Sequence, residues 1–320
     1  MTAAVRSAGR VAYLGPPGTF TEEALLSQPD LAAASHQLCC SIPEVLESVA
    51  CGHVDLGFTA IENSIEGTVN VALDALIFEH DLLIQREVVI DVRLHLLGPP
   101  GASLETIKRV ISFPVATAQC RRYLSDNLPD VEEVAANSTA AAARDLADSQ
   151  DPTAAAVGTA LSQKLYGLTL IAPGIEDHPE NQTRFVAVAR TGIPAPTGHD
   201  KTSIVVFQRA DRSGSLMGIL AEFAARSINL TKLESRPTKK ALGDYCFLID
   251  LEGHIADQLV ADCLTSIVAK HGDVKFLGAY PTTVPGRQEH NTNAANAWKD
   301  ARAWIEDLRG QVGGPGLDRY

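Results

Sequence analysis

The segment Thr191–Lys201, TGIPAPTGHDK, sets two prolines and two glycines among polar residues, and it constrains the fold more than any other stretch. Proline removes a backbone donor and glycine opens left-handed backbone, so such a run makes neither a helix nor a central strand; it reads as a linker over 191–201. The chain is expected to fold as separate parts on either side of it. Upstream, short apolar runs alternate with helical patterns. Downstream, the order reads strand, helix, strand, strand, helix, strand.

The upstream part, 10–190, opens with a strand at Val11–Leu14 and a helix from near Thr19. Thr19 with Glu22, and Ser41 with Glu44, have capping-box spacing and mark helix starts. Further strands are predicted at Asp55–Ala60, Leu82–Leu97, Val110–Ser112, Val131–Val134, Thr153–Val157 and Thr183–Ala189, with helices over 115–127 and Ser138–Ala147. This is α/β patterning, and its length suits a two-lobed unit. Downstream, over 202–280, strands at Ser203–Phe207, Leu230–Ser235, Tyr245–Leu251 and Val274–Ala279 and helices at Ser213–Arg226 and Ile255–Lys270 give the βαββαβ order of a ferredoxin-like module. Residues 281–320 hold a short helix around Ala294–Leu308 and a Gly-rich end, expected to fray.

A net charge of −12 over 320 residues argues against a nucleic-acid or anionic-membrane surface, which needs a basic footprint. No apolar run approaches the ~18 residues of a membrane span. Met1–Gly9 has no apolar signal-peptide core, so a cytoplasmic protein is expected. The six cysteines include no CxxC pair, the nine histidines fall at no metal-ligand spacing, and GxGxxG and GxxxxGK[ST] loops are missing. No metal and no cofactor are expected.

Chemistry concentrates in a few strings. Ile61–Gly67, IENSIEG, sets Glu62, Asn63, Ser64 and Glu66 where an apolar strand ends, the place where open α/β sheets bind ligands. Gly15–Phe20, GPPGTF, is either a tight strand-to-helix turn or an anion cradle using Gly18 and Thr19. Ser112–Cys120, SFPVATAQC, offers Ser112 as a helix cap or a donor, with Gln119 further into the helix. Asn181–Phe185, NQTRF, begins on the lobe surface and brings the Thr183 hydroxyl, the Arg184 fork and Phe185 onto a strand. Asn229–Pro237, NLTKLESRP, mixes Asn229, Glu234 and Arg236 with apolar positions, and Asp211–Gly214 makes a turn.

Taken in order, YLGPPGTFTEEA from Tyr13, AIENSIEG from Ala60, AQCRRYL from Ala118, NST at Asn137, YGL at Tyr166, NQTRF at Asn181, INLTKLESRP and the Gly253–His254 pair resemble prephenate dehydratase of the monofunctional kind, joined to a C-terminal ACT regulatory domain. The resemblance covers Val11–Tyr280. It implies a two-lobed catalytic unit of the type II periplasmic-binding-protein kind, and conversion of prephenate to phenylpyruvate with loss of carbon dioxide and water, a lyase step of phenylalanine biosynthesis. By resemblance Thr183 is the essential hydroxyl, orienting the leaving oxygen or relaying a proton, and Ser112, Gln119, Asn63 and Glu62 line the cleft. Arg184, Phe185, Gly18, Thr19 and Ser64 would contact substrate.

The ACT resemblance implies feedback inhibition by phenylalanine, bound by Gly214, Ser215, Leu216, Asn229, Leu230, Glu234, Ser235, Arg236 and Pro237 at an interface within a homodimer or homotetramer. Two departures stand out. Phe113 occupies a position where much of the family has His, and Gly214–Ser215–Leu216 replaces Gly-Ala-Leu. Arogenate dehydratase, with the same elimination on an amino-acid analogue, is a second reading; a solute-binding or amino-acid sensor protein is a third, from a different class.

Overall fold

A computed structural model describes residues 9–208, 212–240, 243–283 and 288–312, and the chain divides into two compact units between Gly192 and Ile193. In the first unit, β1 (Arg10–Leu14), β2 (Ser35–Cys39), β3 (Leu56–Asn63), the short β4 (Gly67–Thr68) and β5 (Leu83–Asp91) belong to one sheet. The chain then builds a second sheet from β6 (His95–Gly98), β7 (Arg109–Ser112), β8 (Glu132–Ala135), β9 (Ala154–Gly158) and β10 (Thr169–Ala172). It returns through β11 (Gln182–Ala189), which inserts between β3 and β5. The first sheet runs β2-β1-β3-β11-β5 and the second β10-β6-β9-β7-β8.

The two crossings between sheets touch, since the Val92 amide donates to the Asn181 carbonyl at 2.8 Å. They also correct one expectation: Leu82–Leu97 is not one strand. β5 and β6 lie in different sheets, and an apolar run cannot show from its composition where it changes sheet. The helix expected over 115–127 is likewise two, Pro114–Ala118 and Arg121–Asn127. At the break, the Gln119 carbonyl accepts the Asp177 amide at 2.7 Å. β2 is a mostly exposed, mixed sequence, SHQLC, with no apolar signature to read, and β10, TLIA, is a short apolar run outside the predicted strands.

Each sheet is covered by helices. Val11, Tyr13, Phe58, Val88 and Phe185 pack with Ala24 and Leu25 of the helix Phe20–Leu26. In β9 the alternation sends Ala155 and Val157 toward Cys120 and Leu124, and Ala154 and Ala156 toward Ala142, Ala143 and Leu146 of the helix Thr139–Ser149. Burial on both faces explains why this strand is wholly apolar. The predicted caps form: Thr19 and Ser41 each accept a backbone amide of the first helical turn, and Ser138, expected inside its helix, caps it in the same way.

The second unit is an antiparallel sheet, β12 (Asp200–Gln208), β13 (Leu230–Pro237), β14 (Tyr245–Glu252) and β15 (Gly272–Pro281), in the order β13-β14-β12-β15. With the helices Ser215–Ala224 and Gln258–Lys270 it has the ferredoxin-like βαββαβ order. Ile204, Val206, Ile249 and Leu251 pack with Ile219, Phe223, Cys263 and Ile267 of those helices. The terminal helix is not short: it runs Gln288–Gly310, 23 residues. The Gly-rich end from residue 313, and Asp211 of the expected turn, lie outside the described residues. Among the described residues no helix is long and apolar enough to cross a membrane, and no group of His, Cys, Asp and Glu is arranged to hold a metal ion.

The two helices of this unit are tied by Glu222, whose carboxylate takes Lys270 at 2.9 Å, Arg226 at 2.9 Å and His271 at 3.5 Å. The Lys270 hydrogen bond, then Arg226, draw its pKa down to about 2. A folded value below the unfolded one stabilises above the ordinary carboxylate range and is lost as pH falls toward 2. Replacing Glu222 with Gln should therefore cost about 1 kcal/mol at pH 7, after solvent screening, and almost nothing near pH 2; urea titrations at both pH values check it.

Candidate functional site

The site is assembled where β3 meets β11. These strands are antiparallel, with Asn63 opposite Thr183 and Glu62 opposite Arg184, and a bulge follows at Arg184/Phe185. β3 reaches Asn63, so Glu62 and Asn63 belong to the strand and not to the turn after it. That register places the end of one motif against the start of the other, 120 residues apart in the chain.

Asn63 is the hub. Its Oδ1 accepts the amides of Ile65 and Glu66, both at 2.9 Å, which fixes the orientation of the carboxamide. Its Nδ2 must then face the other way, toward the Thr183 Oγ1 at 2.8 Å and the Asn181 Oδ1 at 2.9 Å. Asn181 is buried, 1% exposed; its Oδ1 also accepts from the Ser64 hydroxyl, and its Nδ2 donates to the Gln119 Oε1 at 3.1 Å. Gln119 in turn donates to Glu66 at 3.2 Å. A single network thus joins Gln119, carried by the helices of the second sheet, to Thr183 on the first. Among the described residues the Thr183 hydroxyl accepts from Asn63 and donates to no protein atom.

Arg184 lies between two carboxylates. Its Nε donates to Glu87 at 2.7 Å and its Nη1 to Glu62 at 3.3 Å. The Glu87 side chain is fully buried, whereas that of Glu62 is 34% exposed. Phe185 points the other way, as alternation along a strand requires. It is 1% exposed and stacks on Phe58 with ring centroids 5.6 Å apart, so its ring belongs to the core.

Other expected site residues have different surroundings. Ser112 is fully buried and its hydroxyl donates to the Val157 carbonyl at 2.8 Å; it ties β7 to β9 and neither caps the helix nor joins the network, and the cap position falls to Phe113. The Gly18 amide is taken by Glu22 at 2.5 Å, and Glu22 also holds the Tyr13 hydroxyl at 2.7 Å. Burial and this carboxylate push the Tyr13 phenol well above its ordinary range. The loop is pinned to the second sheet's helices, Thr159 donating to the Gly18 carbonyl at 2.9 Å and Tyr166 to that of Pro17 at 2.7 Å. Gly18, at φ +92°, is required there, because a Cβ would stand 3.0 Å from that of Ser162. Thr19 caps its helix.

In the second unit Gly214, at φ 87°, precedes the helix that begins with Ser215 and Leu216. Asn229 immediately precedes the edge strand β13, which carries Leu230 and Glu234 to Pro237. Arg236 is 8% exposed and donates to Glu234 at 2.7 Å, so this is not a solvated pair.

Asn181 and Glu87 were not among the expected site residues. Asn181 was assigned to the lobe surface, yet the backbone crossing beside Val92 buries it. Glu87 left no distinct signal, because its strand, LIQREVVID, also carries Gln85, Arg86 and Asp91.

Two sheets joined by a double crossing, with a hydrogen-bonded polar group at that crossing, define a two-lobed α/β protein, here followed by a ferredoxin-like unit. Residues 11–192 match the family model described as prephenate dehydratase. A prephenate dehydratase of Mycolicibacterium gilvum (strain PYR-GCK) is 42% identical over 311 residues, covering 93% of this chain and 98% of the relative. The crystal structure of prephenate dehydratase from Arthrobacter aurescens in complex with L-Phe superposes with a TM-score of 0.85 at 38% identity, covering 94% of this chain and 99% of that one. GqqA, described as a novel type of quorum quenching acylase, gives a TM-score of 0.77 at 29% identity, over 86% and 98% of the two chains. The chain belongs to the prephenate dehydratase family.

The hub yields a direct prediction. Asn63→Asp keeps the shape and the two accepted amides but turns the donor toward Thr183 and Asn181 into an acceptor. It should lower stability by about 1–3 kcal/mol and abolish most turnover, read by denaturant titration and by phenylpyruvate formation.

Proposed function

We propose that the Asn63–Thr183 group carries out the family's elimination on prephenate, as a lyase. The reaction breaks the ring C–O bond and the bond to the ring carboxylate. The carboxylate leaves as carbon dioxide, its electron pair enters the ring, and the departing hydroxyl takes one proton to become water. Aromatisation supplies the driving force, so the protein must mainly place a donor at the leaving oxygen and fix dipoles around the charges.

The observation that carries this reading is the Asn63 donation to Thr183. An oxygen that already accepts from an amide has its own proton free to point into the cleft, and the accepted bond makes that proton a better donor. A threonine hydroxyl is too weak an acid to give up its proton outright, so Thr183 orients the leaving oxygen while the proton comes through solvent. Arg184 supplies the positive potential for a substrate carboxylate.

The acylase named for GqqA acts by other chemistry. Amide hydrolysis through a hydroxyl nucleophile calls for a base to accept its proton, whereas Thr183 Oγ1 faces the donor of Asn63. That favours elimination here. Prephenate over arogenate, and an enzyme over a sensor, are supported by the family's name and are decided by turnover.

We further propose that 10–190 is catalytic and 202–280 an ACT regulatory domain binding phenylalanine near Gly214–Leu216, Asn229, Leu230 and Glu234–Pro237, in a cytoplasmic homo-oligomer. The Arthrobacter relative's L-Phe complex supports the ligand. β13 supports the assembly: among the described residues it is the edge of its sheet, beside the half-exposed Leu233 and Tyr245.

Purified protein should form phenylpyruvate from prephenate without added metal, and phenylalanine should inhibit it; no turnover of prephenate would overturn the assignment. Thr183→Ala should fold normally and lose about 10²-fold or more in kcat. Leu233→Asp on the β13 edge should yield a smaller species by analytical ultracentrifugation and weaken phenylalanine inhibition.

A further inference from the structure

Among the described residues Arg184 is hydrogen-bonded to two carboxylates that differ in kind, and the difference follows from strand geometry. Glu62 is directly opposite Arg184 on β3. Glu87 on β5 is opposite Val186, two residues along β11, which makes it the diagonal neighbour on the same face. The diagonal partner holds Nε at 2.7 Å with a fully buried side chain, and the direct partner holds Nη1 at 3.3 Å with a side chain 34% exposed.

A buried carboxylate in a charge-assisted bond is costly to separate from its partner. A longer bond from a partly solvated carboxylate exchanges readily for another oxyanion. We propose that Glu87 is a positioning residue that clamps Arg184 by its Nε edge, and that Glu62 is an exchangeable placeholder whose position on the Nη edge is taken by a carboxylate of the substrate. This rests on the assignment of prephenate as substrate. The clamp prevents the guanidinium from turning its fork wholly onto Glu62, and so keeps one edge available to the incoming anion. It also explains why a family arginine meant for an anion has two protein carboxylates beside it.

The test has two independent readouts. In the arginine side-chain NMR spectrum of the full-length protein, the Arg184 Nε–H, assigned by its loss in Arg184→Lys, should exchange slowly with solvent. It should remain slow in Glu62→Gln and become fast in Glu87→Gln. With prephenate as the probe, Glu87→Gln should raise KM at least tenfold while changing kcat less than threefold, and the double variant Glu87→Gln/Arg184→Gln should be no worse than Arg184→Gln alone. An Nε–H that exchanges rapidly in the unaltered protein overturns the clamp. So does a Glu87→Gln penalty that persists undiminished with Arg184 replaced, the behaviour of a purely structural residue. If the unaltered protein does not turn over prephenate, the substrate assignment fails by itself, and the exchange measurement still decides whether Glu87 holds Arg184.

Discussion

The antiparallel pairing of β3 with β11 is the constraint on which the rest of the first unit depends. It sets Asn63 against Thr183 and Glu62 against Arg184. Because side chains alternate with a period of two, a slip of one residue would turn all four away from their partners. Across β3 and β11 the register is held on one face by the Phe58–Phe185 stack and on the other by the Arg184–Glu62 pair, while Arg184–Glu87 ties β11 to β5. A hydrophobic contact and an ion pair, on opposite sides of one strand, thus keep a hydroxyl and an amide in hydrogen-bond reach.

The same strand joins the two sheets. β11 follows the second crossing, and Asn181 at its start links the Asn63 hub to Gln119 on the second sheet's helices. The break between the helices Pro114–Ala118 and Arg121–Asn127 is part of that arrangement, since it lets the Gln119 carbonyl meet Asp177 while its side chain reaches Asn181 and Glu66. Every member of the chain from Glu66 to Thr183 makes a hydrogen bond to the next, which is what makes a polar group at a crossing tolerable. The geometry is that of a preorganised donor site, with the Thr183 hydroxyl proton uncommitted among the described residues.

Much of this was legible in the chain. The proline-rich linker divided it, the capping residues marked helix starts, and the strings IENSIEG and NQTRF carried the residues that meet at the site. Asn63, Ser64, Gln119 and Thr183 belong to one hydrogen-bonded network, and Glu62 and Arg184 pair beside it. Ser112, Phe185 and Gly18 show the limit: a hydroxyl, a ring and a glycine in a motif look the same whether they face a ligand or a neighbour. Which they do depends on strand parity and on what packs there, and Val157, Phe58 and Glu22 are the neighbours that answer it.

Periodicity, caps and turn chemistry are local, so the sequence by itself determined the α/β and βαββαβ element orders, the point of division and the residue types available for chemistry. Only tertiary structure decided that Leu82–Leu97 splits between two sheets, that Asn181 is buried, and that Glu87 stands beside Arg184. Those outcomes depend on pairings between segments about a hundred residues apart, such as Arg184 with Glu87 at a separation of 97. No local pattern encodes such a pairing, because the free energy that selects it resides in the contact between the segments and in neither segment alone.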